Sequence, residues 1–301
     1  MLTKILPIEL VNLIKQNFNL KEVNEIRIRR NLPIVIGVAG KFVELKNCDD
    51  NKIMYADKRL LDYIVLRATE SSMYCYNNQL KNCYIAGCGG IRIGVSGEIV
   101  TNDDNLVKTI KNISSLILRV PHQILNCARP IEKFLFTDDK INNVLIISPP
   151  SAGKTTLIRD IARIESSRKP IINVLVVDER YEIAGVCNGE NLLDVGLYTD
   201  VLSGAKKSFA FNEGIRALSP NVIVTDELMD ETDVLACKTA IGSGVCVVAS
   251  IHGENLFDIK RRKFATNIFT EKLFDYYVVL SKRNGAGTVE AVFDKEFKSV
   301  W

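Results

Sequence analysis

The sequence predicts an α/β protein: a mainly parallel sheet in the carboxyl-terminal half, preceded by a smaller α+β domain. Three observations predict it. From residue 144 onward, uninterrupted apolar runs (VLII at 144–147, IINVLVV at 171–177, VIVT at 222–225, VCVVAS at 245–250) alternate with helical stretches expected over 154–166, 208–218 and 231–241. Runs of Val and Ile without polar alternation suit strands covered on both faces, and helices between them supply the crossovers that parallel strands need. Before about residue 136 the elements are short and mixed, and the polar, turn-rich TDDKINN at 137–143 separates the two rhythms. The predicted domains are therefore 1–140 and 141–301.

In the first half, Pro7 opens an apolar helix, VNEIRIR and PIVIGV alternate as strands, and DKRLLDYIVLRAT at 57–69 has helical spacing. GGIRIGVSGEIV at 89–100 reads as two glycine-punctuated strands with a hairpin turn at Ser96-Gly97.

Composition bounds the function classes. With 301 residues, 47% hydrophobic and 25% charged, the chain is long enough to close two cores without disulfides or structural metals. No run reaches the ~18 apolar residues of a spanning helix, and the amphipathic start MLTKILPIELVNLIKQNF lacks the features of a signal peptide. A cytoplasmic location is expected. None of the eight cysteines forms a C-x-x-C pair, and only His122 and His252 are available to complete a mixed site, so reduced, mostly buried thiols are expected rather than a metal or redox cluster at Cys75, Cys83 and Cys88. A net charge of +3 gives no argument for nucleic acid, and KRRK at 260–263 reads as a solvated helix face.

The chemistry sits at the carboxyl ends of the buried strands. After VLII come Ser148, Pro149, Pro150, Ser151, Ala152, Gly153, Lys154, Thr155 and Thr156, then a helix. Small residues before a helix N-terminus let backbone N–H groups surround a phosphate, with a Lys for the β- and γ-oxygens and a hydroxyl for Mg²⁺. The pattern G-x-x-x-x-G-K-[ST] expects glycine where Ser148 stands, and many such loops carry glycine at the position of Ser151. If either position needs a positive φ, serine costs about 1 kcal/mol, which weakens the site without abolishing it.

The next strand ends in Asp178, Glu179 and Arg180, and VIVT ends in Asp226 and Glu227. Ligands of open α/β sheets sit beyond the carboxyl ends of the strands, so both acidic pairs should face the crevice of the loop. Asp226, with the Thr155 hydroxyl, suits a Mg²⁺ role, and Glu227 suits orientation of an attacking water. Asp178 and Glu179 have two readings, chemistry or capping of the segment that follows. His252 closes VCVVASIH at a third strand end, where it can sense a γ-phosphate.

Taken together, NEIRIRRNLPI, GGIRIGVSGEIV, ISSLILRVP, SPPSAGKTTLIRDIAR, VVDERYEIAG, LDVGLYTDVL, GIRALSPNVIVTDE, GSGVCVVASIHG and YYVVLSKRNGAGTVEAVFD resemble the stage III sporulation protein AA family of endospore-forming bacteria. That family is related to the hexameric ATPases of type II and type IV secretion. The resemblance implies a RecA-like P-loop NTPase domain after the α+β domain. It further implies an ATP- and Mg²⁺-dependent motor that assembles as a homo-hexamer. The motor would act on the mother-cell cytoplasmic face of the membranes around the forespore, held there by membrane proteins of the stage III sporulation channel. By the same resemblance, VVDERYE is the acidic box, VIVTDE the Walker B strand and ASIHG the histidine box. Arg92 and Arg119 match arginines that the family's amino-terminal domain presents to nucleotide, and Arg216 is a weaker candidate. Two other readings stay open: a non-hydrolysing nucleotide-binding scaffold, and a nucleic-acid-dependent ATPase on the same core.

Overall fold

Pro7, with its fixed φ, starts α1 (Ile8–Asn17), which turns Leu10, Val11 and Ile14 inward. Strand β1 (Val23–Arg29) alternates and buries Val23, Ile26 and Ile28; it is followed by β2 (Val35–Val38) and β3 (Lys41–Glu44). Asp57 caps α2 (Lys58–Ala68) by accepting the Leu60 N–H, and the helix buries Leu61, Ile64, Val65 and Ala68, the spacing of one helical face. After α3 (Asn77–Lys81) come β4 (Tyr84–Ala86), β5 (Arg92–Thr101) and β6 (Val107–Arg119). These strands form one antiparallel sheet in the order β3-β2-β1-β6-β5-β4. The computed structural model describes residues 1–301 except Ser71, Met73, Tyr74, Cys75, Asp103 and Asp139.

Ser96-Gly97 is not a hairpin turn. Strand β5 runs straight through it, and the register against β6 shifts between Ser96 and Glu98. A Cβ on Gly97 would lie 2.7 Å from the Lys111 carbonyl oxygen, so the glycine serves a bulge where two backbones approach closely.

The carboxyl-terminal part begins with α4 (Glu132–Leu135) and the short strands β7 (Phe136–Thr137) and β8 (Lys140–Ile141). It continues with β9 (Val144–Ser148), α5 (Lys154–Ser166) and β10 (Val174–Asp178). A small hairpin of β11 (Val186–Cys187) and β12 (Glu190–Asn191) interrupts it. Then follow β13 (Thr199–Ser203), α6 (Lys207–Leu218), β14 (Val222–Leu228), α7 (Glu231–Gly242), β15 (Cys246–His252), α8 (Leu256–Lys260), α9 (Thr266–Thr270), β16 (Tyr276–Ser281) and β17 (Thr288–Asp294). The sheet order is β13-β10-β14-β15-β9-β16-β17, parallel except for the antiparallel β16–β17 edge. Strands β9, β10, β14 and β15 are buried on both faces. Leu145, Leu175, Ile223, Val247 and Tyr277 pack with residues of α6, α7, α8 and α9, while the alternate residues face the side covered by α5.

The chain forms two compact units, Met1–His122 with Gly185–Leu192, and Gln123–Ala184 with Leu193–Trp301. The division thus falls at 122/123 rather than at 140/141. Residues 123–138 belong to the second unit because Asp160 of α5 accepts the Asn126 and Ala128 N–H groups and Phe134 lies against Tyr276 and Trp301. The excursion at 185–192 leaves no compositional mark, and only packing reveals it.

That excursion also corrects the expectation of reduced thiols. Cys187 forms a disulfide with Cys88, 99 residues away, because Gly185 lies so close to Gly89 that a Cβ there would be 2.7 Å from the Gly89 carbonyl carbon. Among the described free thiols only Cys237 is fully buried, with Cys48 and Cys83 exposed. Cys75 lies outside the described residues, and Cys88 is bonded to Cys187.

Candidate functional site

Strands β10, β14, β15 and β9 are consecutive and parallel. Their carboxyl ends therefore bring Asp178, Asp226 with Glu227, His252, and Ser148 to one edge of the sheet. His252 is the register partner of Ser148, and Glu227 of Ser250.

The loop leaving β9 has the local geometry of an anion cradle. Gly153, at φ 88°, caps α5 in the left-handed region, and Lys154 opens the helix. A Cβ on Gly153 would come within 3.1 Å of the Gly287 nitrogen, whose N–H donates to the Ala152 carbonyl, so the β16–β17 turn hems the loop in. The two serines part company. Ser148 is buried in the strand and its hydroxyl donates to the Pro149 carbonyl. Ser151 is exposed and takes φ 57°, the conformation glycine favours. Thr155 and Thr156 are partly exposed in the first turn of α5.

One carboxylate, that of Glu227, reaches this loop. Glu227 Oε2 lies 3.8 Å from Lys154 Nζ and 3.8 Å from Arg180 Nη1. Asp226 is buried, and burial, only partly offset by the Lys207 charge, pushes its carboxyl up to about 6. Lys207 Nζ sits 3.0 Å from Asp226 Oδ1, an ion pair outside hydrogen-bond alignment, so that oxygen has no hydrogen-bond partner among the described residues. The same ammonium, 2% exposed, reaches Glu179 at 2.9 Å and Asp233 at 3.9 Å. Burial draws the Lys207 pKa down, but the charges of Asp226, Glu179 and Asp233 outweigh it and hold it above the ordinary lysine value. Burial, aided by the Arg180 charge and opposed chiefly by Glu227, lowers that of Lys154.

Asp178 shows the capping arrangement. Its carboxylate accepts the backbone N–H groups of Glu182, Ile183 and Ala184, and Arg159 of α5 donates to the carbonyls of Glu182 and Ile183. Both side chains fasten the loop after β10. Glu179 is turned to Lys207 instead.

Arg92 and Arg119 belong to the first unit, where they are direct partners across β5 and β6, with the Arg92 guanidinium 4.7 Å from the Tyr84 ring centre. Arg216 is 80% exposed and pairs only weakly with Glu213, at 3.8 Å. Sequence reasoning missed Lys207, and Arg180 drew notice only as a neighbour of the acidic pair. Lys207 did leave a signal: a lysine pair at the start of a helix opposes the dipole, and such a placement calls for acidic partners.

The donor set fits a magnesium nucleotide. The Thr155 hydroxyl and the Asp226 carboxylate are hard oxygen donors, and the α5 N-terminus with Lys154 suits a polyphosphate. Among the described residues no helix is long and apolar enough to cross a membrane.

Solved structures with this architecture include the ATPase DotB of Yersinia pseudotuberculosis (TM-score 0.57, 17% identity, 91% of this chain and 76% of that chain covered). The pilus retraction motor PilT, solved with bound ADP, aligns at TM-score 0.63 and 12% identity over 91% of this chain and 77% of that chain. At such identities the likeness concerns the fold alone. In sequence, the chain is 36% identical to the stage III sporulation protein AA of Bacillus subtilis (strain 168) over 283 residues, 91% of this chain and 88% of that protein. The model of the family described as "Sporulation stage III, protein AA" matches residues 1–300, and the chain belongs to that family.

Proposed function

We propose that the chain binds ATP with Mg²⁺ at the β9–α5 loop and hydrolyses it as the motor of a sporulation-specific secretion or channel complex. The observation that carries this reading is the meeting of Lys154 and Glu227, 3.8 Å apart, from two strand ends separated only by β15. In this reading Lys154 and the backbone of residues 151–154 hold the phosphates, and Thr155 and Asp226 hold Mg²⁺. The bound ion would neutralise phosphate charge. Glu227 orients and deprotonates the attacking water, and His252 sits where loss of the γ-phosphate can be sensed.

The chemistry of the site supports a ring. One P-loop domain leaves the γ-phosphate open on one side, and an arginine from a neighbouring subunit can raise the rate by ~10³-fold or more. Arg92 and Arg119 are the candidates, in a homo-hexamer docked through membrane proteins on the cytoplasmic, mother-cell side. The non-hydrolysing scaffold is kept as a second reading because Ser151 occupies a left-handed position and Glu227 is drawn to two cations.

Lys154→Ala is expected to abolish ATP binding, whereas Glu227→Gln should keep binding and lose turnover. Both are read by equilibrium nucleotide binding and phosphate release from the assembled protein at varied Mg²⁺. Parent-rate hydrolysis by Glu227→Gln sinks the assignment of the water-activating group; binding without turnover by the parent selects the scaffold.

A further inference from the structure

We propose that Arg180 binds the terminal phosphate of ATP from within the same chain, alongside Lys154. The inference rests on the nucleotide reading above and assigns it a residue outside the phosphate loop. Arg180 follows the carboxyl end of β10, beside the strand that carries Glu227. Its Nη1 and the Lys154 Nζ approach one and the same oxygen, Glu227 Oε2, each at 3.8 Å.

Those distances are about 1 Å longer than a close charge-assisted hydrogen bond. Two cations thus converge on an anion that fits neither closely, in the region where a polyphosphate would lie over the loop. Among the described residues the rest of the Arg180 guanidinium is little used. Nη2 donates to the Met229 sulfur at 3.0 Å, a weak acceptor, and the side chain is 35% exposed. A planar fork of five N–H donors with two weak engagements is suited to phosphate oxygens.

The arrangement also couples binding to activation. With the nucleotide absent, Glu227 is the counter-ion of Lys154 and Arg180. A terminal phosphate that takes over both cations frees the carboxylate to turn to its water. ADP, lacking that phosphate, leaves Arg180 on Glu227.

The test compares ATP and ADP affinity, with Mg²⁺, for the full chain and its Arg180→Ala and Arg180→Lys variants, after thermal melting confirms that each variant is folded. Arg180→Ala should weaken ATP by about 10-fold or more and ADP by less than about 3-fold, with Arg180→Lys intermediate, as expected for loss of one charge-assisted contact. The same ATP-selective loss should persist in the Glu227→Gln background, which separates a phosphate contact from a role exerted only through Glu227. Equal loss for both nucleotides, no loss for either, or disappearance of the effect in that background overturns the proposal. A parent protein that binds neither nucleotide, like Lys154→Ala, overturns the nucleotide reading itself.

Discussion

Glu165, near the end of α5, is fully buried, and neither carboxylate oxygen has a hydrogen-bond partner among the described residues. Burial pushes its carboxyl up to about 8, with Arg168 opposing only in part. The folded chain therefore keeps this proton through a range in which the unfolded chain has released it. Stability from this group is full below the ordinary glutamate value and declines as pH rises from about 4.5 to about 8, by about 3 kcal/mol at pH 7. Glu165→Gln removes the decline. In thermal melts from pH 5 to 8 the variant should gain on the parent by several degrees towards the alkaline end; parallel curves would show that Glu165 is ionised in the native state. Its position in the helix-forming run LIRDIARIE carries no hint of this. A glutamate there reads as a solvated residue, and only the packing of α5 against the sheet turns it inward.

At the scale of elements, Lys207 joins pieces that are far apart in the chain: α6, the turn after β10, the end of β14 and the first turn of α7. Replacing it by Met leaves the carboxylates of Glu179, Asp226 and Asp233 without their common cation, and an uncompensated buried charge costs about 3–5 kcal/mol. Denaturant unfolding of Lys207→Met should show that loss at neutral pH, and an unchanged midpoint would mean the cluster contributes nothing net. The strands that carry the site were legible, because VLII, LVV, VIVT and CVVAS are short runs that suit strands covered on both faces. Helix 154–166 was legible to the residue, since Gly-Lys-Thr after a buried strand defines its start. Partners that cross the fold, such as Lys207 with Asp226 or Arg159 with the loop at 182–183, were not. They depend on strand order, which local pattern does not encode. The serines show the middle case: substitution of glycine was visible, but that Ser151 and not Ser148 takes the positive φ required the backbone.

For the whole molecule, the decisive matter is whether the arginines of the first unit serve a neighbour's site. Arg92 and Arg119 stand side by side on β5 and β6, outside the unit that carries the phosphate loop. If they act as fingers between subunits, Arg119→Ala should bind ATP within about threefold of the parent and lose turnover by ~10²-fold or more. A mixing experiment separates this from a structural defect. Glu227→Gln subunits keep their arginines but cannot activate water, and Arg119→Ala subunits retain Glu227 but lack the donor. In a head-to-tail ring assembled from equal parts of the two, roughly a quarter of interfaces combine an intact Glu227 with an intact neighbouring arginine. Activity should therefore return to roughly a quarter of the parent level when two inactive preparations are assembled together, and the same holds for Arg92→Ala if that residue is the donor. Because the recovered site draws its two working groups from different chains, recovery cannot arise from either variant alone. Persistent inactivity of the mixture, with mixed rings verified by pull-down of a tagged subunit, would place the arginine's function within its own chain.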